Sequence, residues 1–218
     1  MIPRRLDEWN LDIIKNLLAK GYYESEFFDF KERLPHKNDC SGKDRLTKAC
    51  CAFANSNGGF LIFGISDDRS LSEEGRLLGL DRHIDFPEHF GNYPKQCMPN
   101  MDWDFKNPSL ELENGNRIHI VWIPKSWEGP HCYSQGNSGL CFPKRTNQGD
   151  MAMDYNEIRI SFLGYYEKYY KLRLLAAELQ NLKILADEKV NTGSPYRLNF
   201  QTQNLIFPYF NLFCRNAT

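Results

Sequence analysis

Carboxylate side chains lie on or directly after two predicted strands and are the residues best suited to chemistry. Glu24, Glu26 and Asp29 fall in the first strand, and Asp67 follows the second. If the strands are neighbours, these acids meet, and carboxylates around one point repel each other unless a cation joins them. Oxygen ligands select Mg²⁺ or Mn²⁺, which can generate hydroxide and stabilise a phosphodiester transition state. The alternative is a strand whose acids face solvent.

The spacing of the first acids determines which of them share a face. Side chains alternate along a strand, so Glu24 and Glu26 point one way and Asp29 the other, unless a bulge re-aims it. Lys31 follows Asp29 on the same face, where a lysine can bind a scissile phosphate or help to activate water. If the two strands are neighbours, Asp67 can approach the acids of the first strand.

A glycine pair, Gly58-Gly59, separates a predicted helix from the second strand. Backbone N–H groups of such a turn can cradle a phosphate, but no GxxxxGK[ST] motif is present and no helix follows. Glycines that follow a helix more often end it in a left-handed turn. We favour the helix stop and keep ligand contact as the alternative.

The seven cysteines are odd in number and scattered, which argues against a disulfide framework. There is no CxxC pair, although His131, Cys132 and Cys141 supply three potential ligands. Free cysteines are commonly small buried hydrophobes, so we do not predict a zinc site.

Composition limits the class of protein. The chain has 218 residues, 41% hydrophobic and 25% charged, with a net charge of −1, which is ordinary for a globular protein of one or two domains. A globally basic binder is excluded, whereas a local basic groove is not. No apolar run approaches a membrane span, and the start MIPRRLDEWN lacks the apolar core of a secretory signal. We therefore expect a cytoplasmic location.

Hydrophobic periodicity predicts an α+β fold in which helices pack on a mixed sheet. The predicted strands are 22–31, 60–65, 116–124 and the edge strand 140–145, and the predicted helices are 7–20, 42–55, one near 85–97, and 157–190. Asp7 is the expected cap of the first helix, Ser41 with Asp44 of the second, and Asp154 with Glu157 of the last.

The long last helix divides the chain into a domain at 1–160 and a helical extension with an apolar tail at 161–218. Leucines at a heptad-like spacing form a short seam: Leu172, Leu175, Leu179 and Leu182. Two interpretations stay open. The helix covers its own sheet, or the seam joins two copies in a homodimer.

Basic and aromatic residues are interleaved at Lys144-Arg145 and at 165–173 (YYEKYYKLR). Such a pattern can stack bases and hold phosphates. The tyrosines of the second stretch recur at helical spacing, which core packing explains equally well.

Several motifs together carry a resemblance to a known family. ESEFFDFK (24–31) and CAFANSNGGFLIFGISDD (51–68), continued by IPKS (123–126), FPKR (142–145) and MDYNEI (153–158), resemble the Alba-like domain of the Schlafen family. The resemblance covers roughly residues 10–160. It implies an α+β domain related to the Alba nucleic-acid-binding proteins.

The resemblance also implies site residues, because some Schlafen proteins are metal-dependent endoribonucleases that cut tRNA and rRNA. Their three acids fall on Glu24, Asp29 and Asp67, with an aspartate where the family has its second glutamate. The resemblance therefore implies that these three acids converge in one cleft with Lys31 nearby, a bulge turning Asp29 towards Glu24. Lys31, Lys144 and Arg145 are then the expected nucleic-acid contacts. Eukaryotic members pair two lobes in one chain, so this one-lobe chain is expected to form a homodimer.

Two main functions follow from the sequence. The first is an endoribonuclease dependent on Mg²⁺ or Mn²⁺ that acts on structured RNA such as tRNA. The second is a non-catalytic DNA- or RNA-binding module of a regulator or defence protein. A nucleotide-binding protein is a third alternative, which depends mainly on the glycine pair.

Overall fold

The computed structural model describes residues 2–22, 25–68, 70–135 and 139–191. Packing of the Cα trace divides the chain into one compact unit at Met1–Lys168 and a second that begins at Tyr169. The predicted division between 160 and 161 falls within the last helix, which spans Tyr155–Asn191.

A five-stranded mixed sheet is the centre of the first unit. Its strands are β1 (Phe28–Lys31), β2 (Gly59–Phe63), β3 (Asp104–Phe105), β4 (Leu110–Glu111) and β5 (Arg117–Ile123). Strands β1 and β2 are parallel, and β5 lies antiparallel to β2, β3 and β4. The order is β1-β2-β5-β3, with β4 also on β5. This arrangement confirms the α+β class predicted from the sequence.

The described residues form four α-helices: α1 (Leu11–Ala19), α2 (Cys40–Asn55), α3 (Phe86–Phe90) and α4 (Tyr155–Asn191). Helix α2 connects the parallel strands β1 and β2, as a parallel pair requires. The first two helices begin at other caps than predicted, because Asn10 and Asp39 accept the N–H groups of Ile13 and Gly42. Residues 6–8 form a separate 3₁₀ turn instead of the start of α1.

Apolar side chains fill both faces of the sheet. Trp9 and Ile14 on one side pack with Phe28, Phe60 and Ile120. On the other side, Phe53 of α2 and Phe86 and Phe90 of α3 pack with the strand residues Leu61, Phe63, Val121 and Ile123. Apolar residues of β5 alternate between the two sides, with Ile118 and Ile120 on one face and Val121 and Ile123 on the other.

Two small hairpins follow the sheet. Strands β6 (Tyr133–Ser134) and β7 (Leu140–Cys141) pair with each other, and β8 (Pro143–Thr146) pairs with β9 (Gly149–Ala152). The predicted edge strand 140–145 is therefore two strands, each in its own hairpin. The β8–β9 hairpin lies against α2.

Helix α4 begins at the predicted capping box. Asp154 Oδ1 accepts the N–H of Glu157 at 2.9 Å, and Glu157 Oε2 accepts the N–H of Asp154 at 2.9 Å. In the second unit, the four leucines of the predicted seam are each between 41% and 54% exposed. The apolar tail predicted at 191–218 lies outside the described residues, apart from Asn191 itself.

Three predicted elements differ in extent. The first strand begins at Phe28 and not at residue 22, and the helix near 85–97 is α3 followed by a 3₁₀ turn at Pro94–Gln96. The second strand ends at Phe63, since Gly64 adopts a φ of 97°. No helix in the described part of the chain is both long and apolar enough to span a membrane.

Candidate active site and nucleic-acid interface

Strand β1 brings the first predicted acid and the lysine together. Asp29 and Lys31 lie two residues apart and point to the α2 side of the sheet, and Lys31 Nζ lies 2.7 Å from Asp29 Oδ2. Asp29 is only 5% exposed because β2 and α2 surround it. A carboxylate this deeply buried requires compensating charge, which Lys31 supplies in part.

Arg145 supplies the rest of the compensation from β8. Its Nη1 lies 2.9 Å from Asp150 Oδ1 and 3.6 Å from Asp29 Oδ2. Its Nε donates to the carbonyl oxygen of Ser25 at 3.0 Å, and its guanidinium lies 4.9 Å from the centre of the Phe53 ring. Asp29, Lys31, Arg145 and Asp150 form a buried ion cluster with two positive and two negative charges.

The two predicted basic contacts on β8 have different surroundings. Arg145 has a side chain that is 2% exposed, so in this position it does not present its charge to nucleic acid in solvent. Lys144 points the other way, is 30% exposed and pairs with Glu157 at the start of α4. Alternation along β8 therefore gives Arg145 an internal positioning role and leaves Lys144 at the surface.

Asp67 lies where the chain leaves β2 beside the end of β1. The N–H groups of Gly64 and Ile65 donate to the carbonyl oxygen of Lys31 at 2.8 and 3.2 Å, which holds this segment against β1. Asp67 is exposed, yet partial desolvation raises the pKa of its carboxyl above the ordinary 3.8. Lys31 lowers that pKa and Asp29 raises it, so the three groups are within electrostatic range.

The remaining predicted acid, Glu24, lies outside the described residues. Glu26 is exposed in a turn in which Ser25 Oγ accepts the N–H groups of Phe27 and Phe28, so the alternation expected for a strand does not apply before Phe28. Among the described residues, which leave out Glu24, no three His, Cys, Asp or Glu residues are grouped as a metal site. His131, one of the three potential metal ligands named from the sequence, is among these described residues, and its Nδ1 lies 2.8 Å from the carbonyl oxygen of Pro99.

The glycine pair allows α2 and the sheet to pack closely against each other. Gly58 has a φ of 74°, and a Cβ there would lie 2.7 Å from the carbonyl oxygen of Ile123. Gly59 lies against the ring of Phe53. The N–H of Gly58 donates to the Phe53 carbonyl oxygen at 3.0 Å, which ends the helix as expected. The two positions without side chains thus serve close packing within the chain.

The polar residues before the glycines hold β8 in place, a role that the sequence analysis missed. The Asn55 side chain donates to the carbonyl oxygens of His131 and Pro143, each at 2.8 Å, and accepts the His131 N–H at 2.6 Å. Ser56 Oγ accepts the Arg145 N–H at 2.8 Å. The Asn-Ser pair therefore sets the register at which Arg145 enters the buried ion cluster.

A basic cleft, also missed, opens directly after β1. It has a volume of about 680 Å³, with Leu34, Leu80 and Tyr93 among its apolar lining residues. Arg33, His36, Lys37, Lys43 and His89 also line it, against one acid, Asp81. The composition gave little signal, because in the loop after Lys31 two basic residues, Arg33 and Lys37, are matched by two acids, Glu32 and Asp39. A cleft with this balance suits an anion such as a phosphate.

The chain is similar to a known family and to a solved structure. A family model described as Schlafen, AlbA_2 matches residues 24–154, which is more than half of the chain. Among solved structures, the DIP2311 protein from Corynebacterium diphtheriae is similar at 18% identity and a TM-score of 0.41, covering 59% of this chain and 25% of that one. The chain thus spans about a quarter of that protein's length. No curated protein sequence matches.

The family match covers β1, α2, β2, β5 and the β8–β9 hairpin, which are the elements that position Asp29, Lys31, Asp67 and Arg145. A function related to nucleic acid follows at the level of the family. On the residues matched, the chain belongs to the Schlafen AlbA_2 family.

Proposed function

We propose that this protein binds RNA and cleaves it at the ends of β1 and β2, with a Mg²⁺ or Mn²⁺ ion as cofactor. The observation that supports the proposal is the electrostatic proximity of Asp67, just after β2, to Lys31 and Asp29 of the neighbouring strand β1. Structured RNA such as tRNA is the proposed substrate.

The donor set fits a hard divalent cation. Asp67 offers exposed carboxylate oxygens, and its raised pKa means that its negative charge is poorly compensated. A cation would offset both the desolvation of Asp67 and the repulsion from Asp29. We propose Asp67, Asp29 and Glu24 as the residues that hold the metal. When bound, the metal would supply a hydroxide nucleophile and stabilise charge on the phosphate.

The surrounding charges have separate proposed roles. Lys31, 30% exposed, is placed to neutralise a phosphate next to the acids. Arg33, Lys37 and Lys43 of the basic cleft follow it along the chain and would hold further phosphates. Lys144 is a more distant contact, available once its pair with Glu157 opens. Phosphate contacts of this kind release counterions, so RNA affinity is expected to fall steeply as salt rises.

A second candidate, a DNA- or RNA-binding module without catalysis, is favoured by the state of Asp29. Lys31 and Arg145 already compensate that carboxylate. A metal ligand role for Asp29 requires Lys31 to move away. If Lys31 stays in place, the same charges bind a nucleic-acid backbone without cleaving it.

Cleavage of total tRNA in Mg²⁺ or Mn²⁺ separates the two candidates. We expect Asp67→Asn and Glu24→Gln to abolish cleavage while RNA binding persists. Asp68→Asn is the matched control. Asp68 is exposed and next to Asp67 in the sequence, but its carboxylate accepts hydrogen bonds from the N–H and Oγ of Ser70. Binding without metal-dependent cleavage by the wild type supports the non-catalytic module. Absence of RNA and DNA binding at low salt contradicts both.

A homodimer is also proposed, with a second copy packed on the leucine seam of the second unit. Four leucines that are each at least 41% exposed along one helix leave apolar surface in water. Sedimentation at micromolar concentration tests this, because the chain has a mass of 25.5 kDa and a dimer twice that. Lysine at Leu175 and Leu179 should convert a dimer to a monomer, and a mass of 25.5 kDa for the wild type rejects the dimer.

A further inference from the structure

Trp127 is a large aromatic side chain fixed at the surface. It is 68% exposed, whereas Trp9 is 1% exposed and Trp103 and Trp122 are partly buried. Its turn is anchored on both sides, because the Ser126 N–H donates to the Ala54 carbonyl oxygen at 2.9 Å and Ser126 Oγ accepts the Glu128 N–H at 3.1 Å. The backbone is therefore fixed to the end of α2 while the indole extends into solvent.

Two lysines surround this indole. Lys168 Nζ lies 3.5 Å from the ring centre, and Lys125 Nζ lies 6.0 Å from it. An ammonium over an exposed indole is held by the ring's negative face. Lys168 covers one part of the ring, and the 68% exposure leaves the rest open. Glu128 in the turn and Glu167 beside Lys168 balance the two lysines in formal charge, and the two ammonium groups lie at the ring itself.

We propose that Trp127, Lys125 and Lys168 form a stacking platform for an unpaired nucleobase, with the lysines on the flanking phosphates. This inference rests on the proposed binding of nucleic acid and specifies its partner as a single-stranded or looped segment. Every base has a π-face that can stack on an aromatic ring, and only unpaired bases expose it to a protein. A duplex offers its phosphates to the lysines but no base to the indole.

The platform lies at the opposite end of β2 from Asp67. Trp127 follows β5, whose last residue, Ile123, pairs with Gly59 at the start of β2, while Asp67 follows the other end. The five residues of β2, which span roughly 13 Å, lie between the two ends. Loss of one contact is therefore distinguishable from loss of the other.

Intrinsic fluorescence of the whole chain tests the stacking directly. Titration with a uridine homopolymer or a thymidine homopolymer should quench tryptophan emission in the wild type, and Trp127→Phe should remove most of that quenching. A blunt duplex of matched length should quench weakly. Quenching that Trp127→Phe leaves unchanged overturns the platform, and this result does not depend on any change in stability.

Affinity gives the second readout. Trp127→Ala should weaken single-strand binding about 5- to 100-fold, Trp127→Phe less, and Lys125→Ala together with Lys168→Ala should reduce the salt dependence. Tyr155→Ala, which removes another exposed aromatic ring at 77% exposure, is the control and should change little.

If Trp127→Ala binds single strands as tightly as the wild type while Lys31→Ala binds them weakly, the platform is wrong and the proposed function stands. If the wild type binds neither strand nor duplex, both fail.

Discussion

Asp29, within β1, and Asp67, just after the neighbouring strand β2, are two carboxylates with opposite surroundings. Asp29 is 5% exposed and contacts two cations, Lys31 at 2.7 Å and Arg145 at 3.6 Å. Asp67 is exposed, and its pKa is raised because desolvation outweighs the help it receives from Lys31. The negative charge of Asp29 is balanced by cations within the fold, whereas the negative charge of Asp67 is only partly balanced at the surface.

Because of this difference, we expect Asp29 to matter mainly for stability and Asp67 mainly for chemistry. A buried carboxylate with two cations contributes to the fold only while all its partners remain. An exposed carboxylate with a raised pKa gains from any cation that arrives from solvent. We therefore expect variants of the buried ion cluster to change folding first, and variants of Asp67 to change function first.

Arg145→Met should have the largest effect on stability. It leaves Asp150 without its guanidinium and Asp29 with Lys31 alone, and removal of one partner from a buried ion pair costs about 3–5 kcal/mol. Urea unfolding of the purified chain measures this. The matched control is Lys144→Met, one residue away, whose partly exposed pair with Glu157 should contribute far less than the buried cluster. Equal losses for the two variants would contradict the buried cluster.

Asp29→Asn and Asp67→Asn compare the two carboxylates directly. The first keeps the shape but removes the charge that Lys31 and Arg145 compensate, so we expect a loss of about 2–3 kcal/mol in the free energy of unfolding. The second should stay within about 0.5 kcal/mol of the wild type because Asp67 is exposed. A large loss in Asp67→Asn would show that Asp67 is also structural.

Much of the fold follows from local sequence patterns, as two strands illustrate. In β5 the alternation of apolar residues correctly assigns Ile118 and Ile120 to one face and Val121 and Ile123 to the other. The predicted start of β1 was six residues too early. The aromatic residues of the segment suggested a strand, but Ser25 Oγ accepts two backbone N–H groups there and forms a turn. Strands β3 and β4 have two residues each, too few for any period to be visible.

The candidate site was predictable only in part, because long-range contacts determine it. The spacing of Asp29 and Lys31 correctly predicted a shared face. In FPKR, alternation requires one of Lys144 and Arg145 to point inward, but sequence does not say which. That choice is made by Asn55 and Ser56, which bond to β8 across 88 and 89 residues.

We expect the protein to lose stability in acid because of a buried histidine, His119, which lies level with Lys31 in the sheet. His119 pairs with Phe63 in β5, as Lys31 does from β1, and its ring lies 4.2 Å from that of Phe86. Burial lowers its pKa from 6.5 to about 4, with a smaller effect from Arg117. Between these values the unfolded chain binds a proton that the folded chain does not, so stability falls as pH falls from 6.5 towards 4.

The expected loss from His119 is about 2 kcal/mol over that range. His119→Phe keeps an aromatic ring on Phe86 and removes the titration, so its stability profile should be flatter below pH 6.5. The control is His83→Phe at an exposed position. Burial also lowers the pKa of His131, so a residual slope should remain. An unchanged slope in His119→Phe would mean that its imidazole is charged or hydrated in the fold.

The smallest effect, a shift in one titration, is the sharpest test of whether the two carboxylates belong to one site. The pKa of Asp67 can be followed by NMR of its carboxyl carbon. Lys31→Met should raise that pKa because it removes a nearby positive charge, and Asp29→Asn should lower it because it removes a negative one. Lys144→Met, which removes a lysine paired elsewhere, is the control and should leave it unchanged. Opposite shifts from Lys31 and Asp29 mean that a cation placed beside Asp67 also acts on Asp29. If neither variant moves the titration, the two carboxylates are electrostatically separate, and a metal shared between them has no basis.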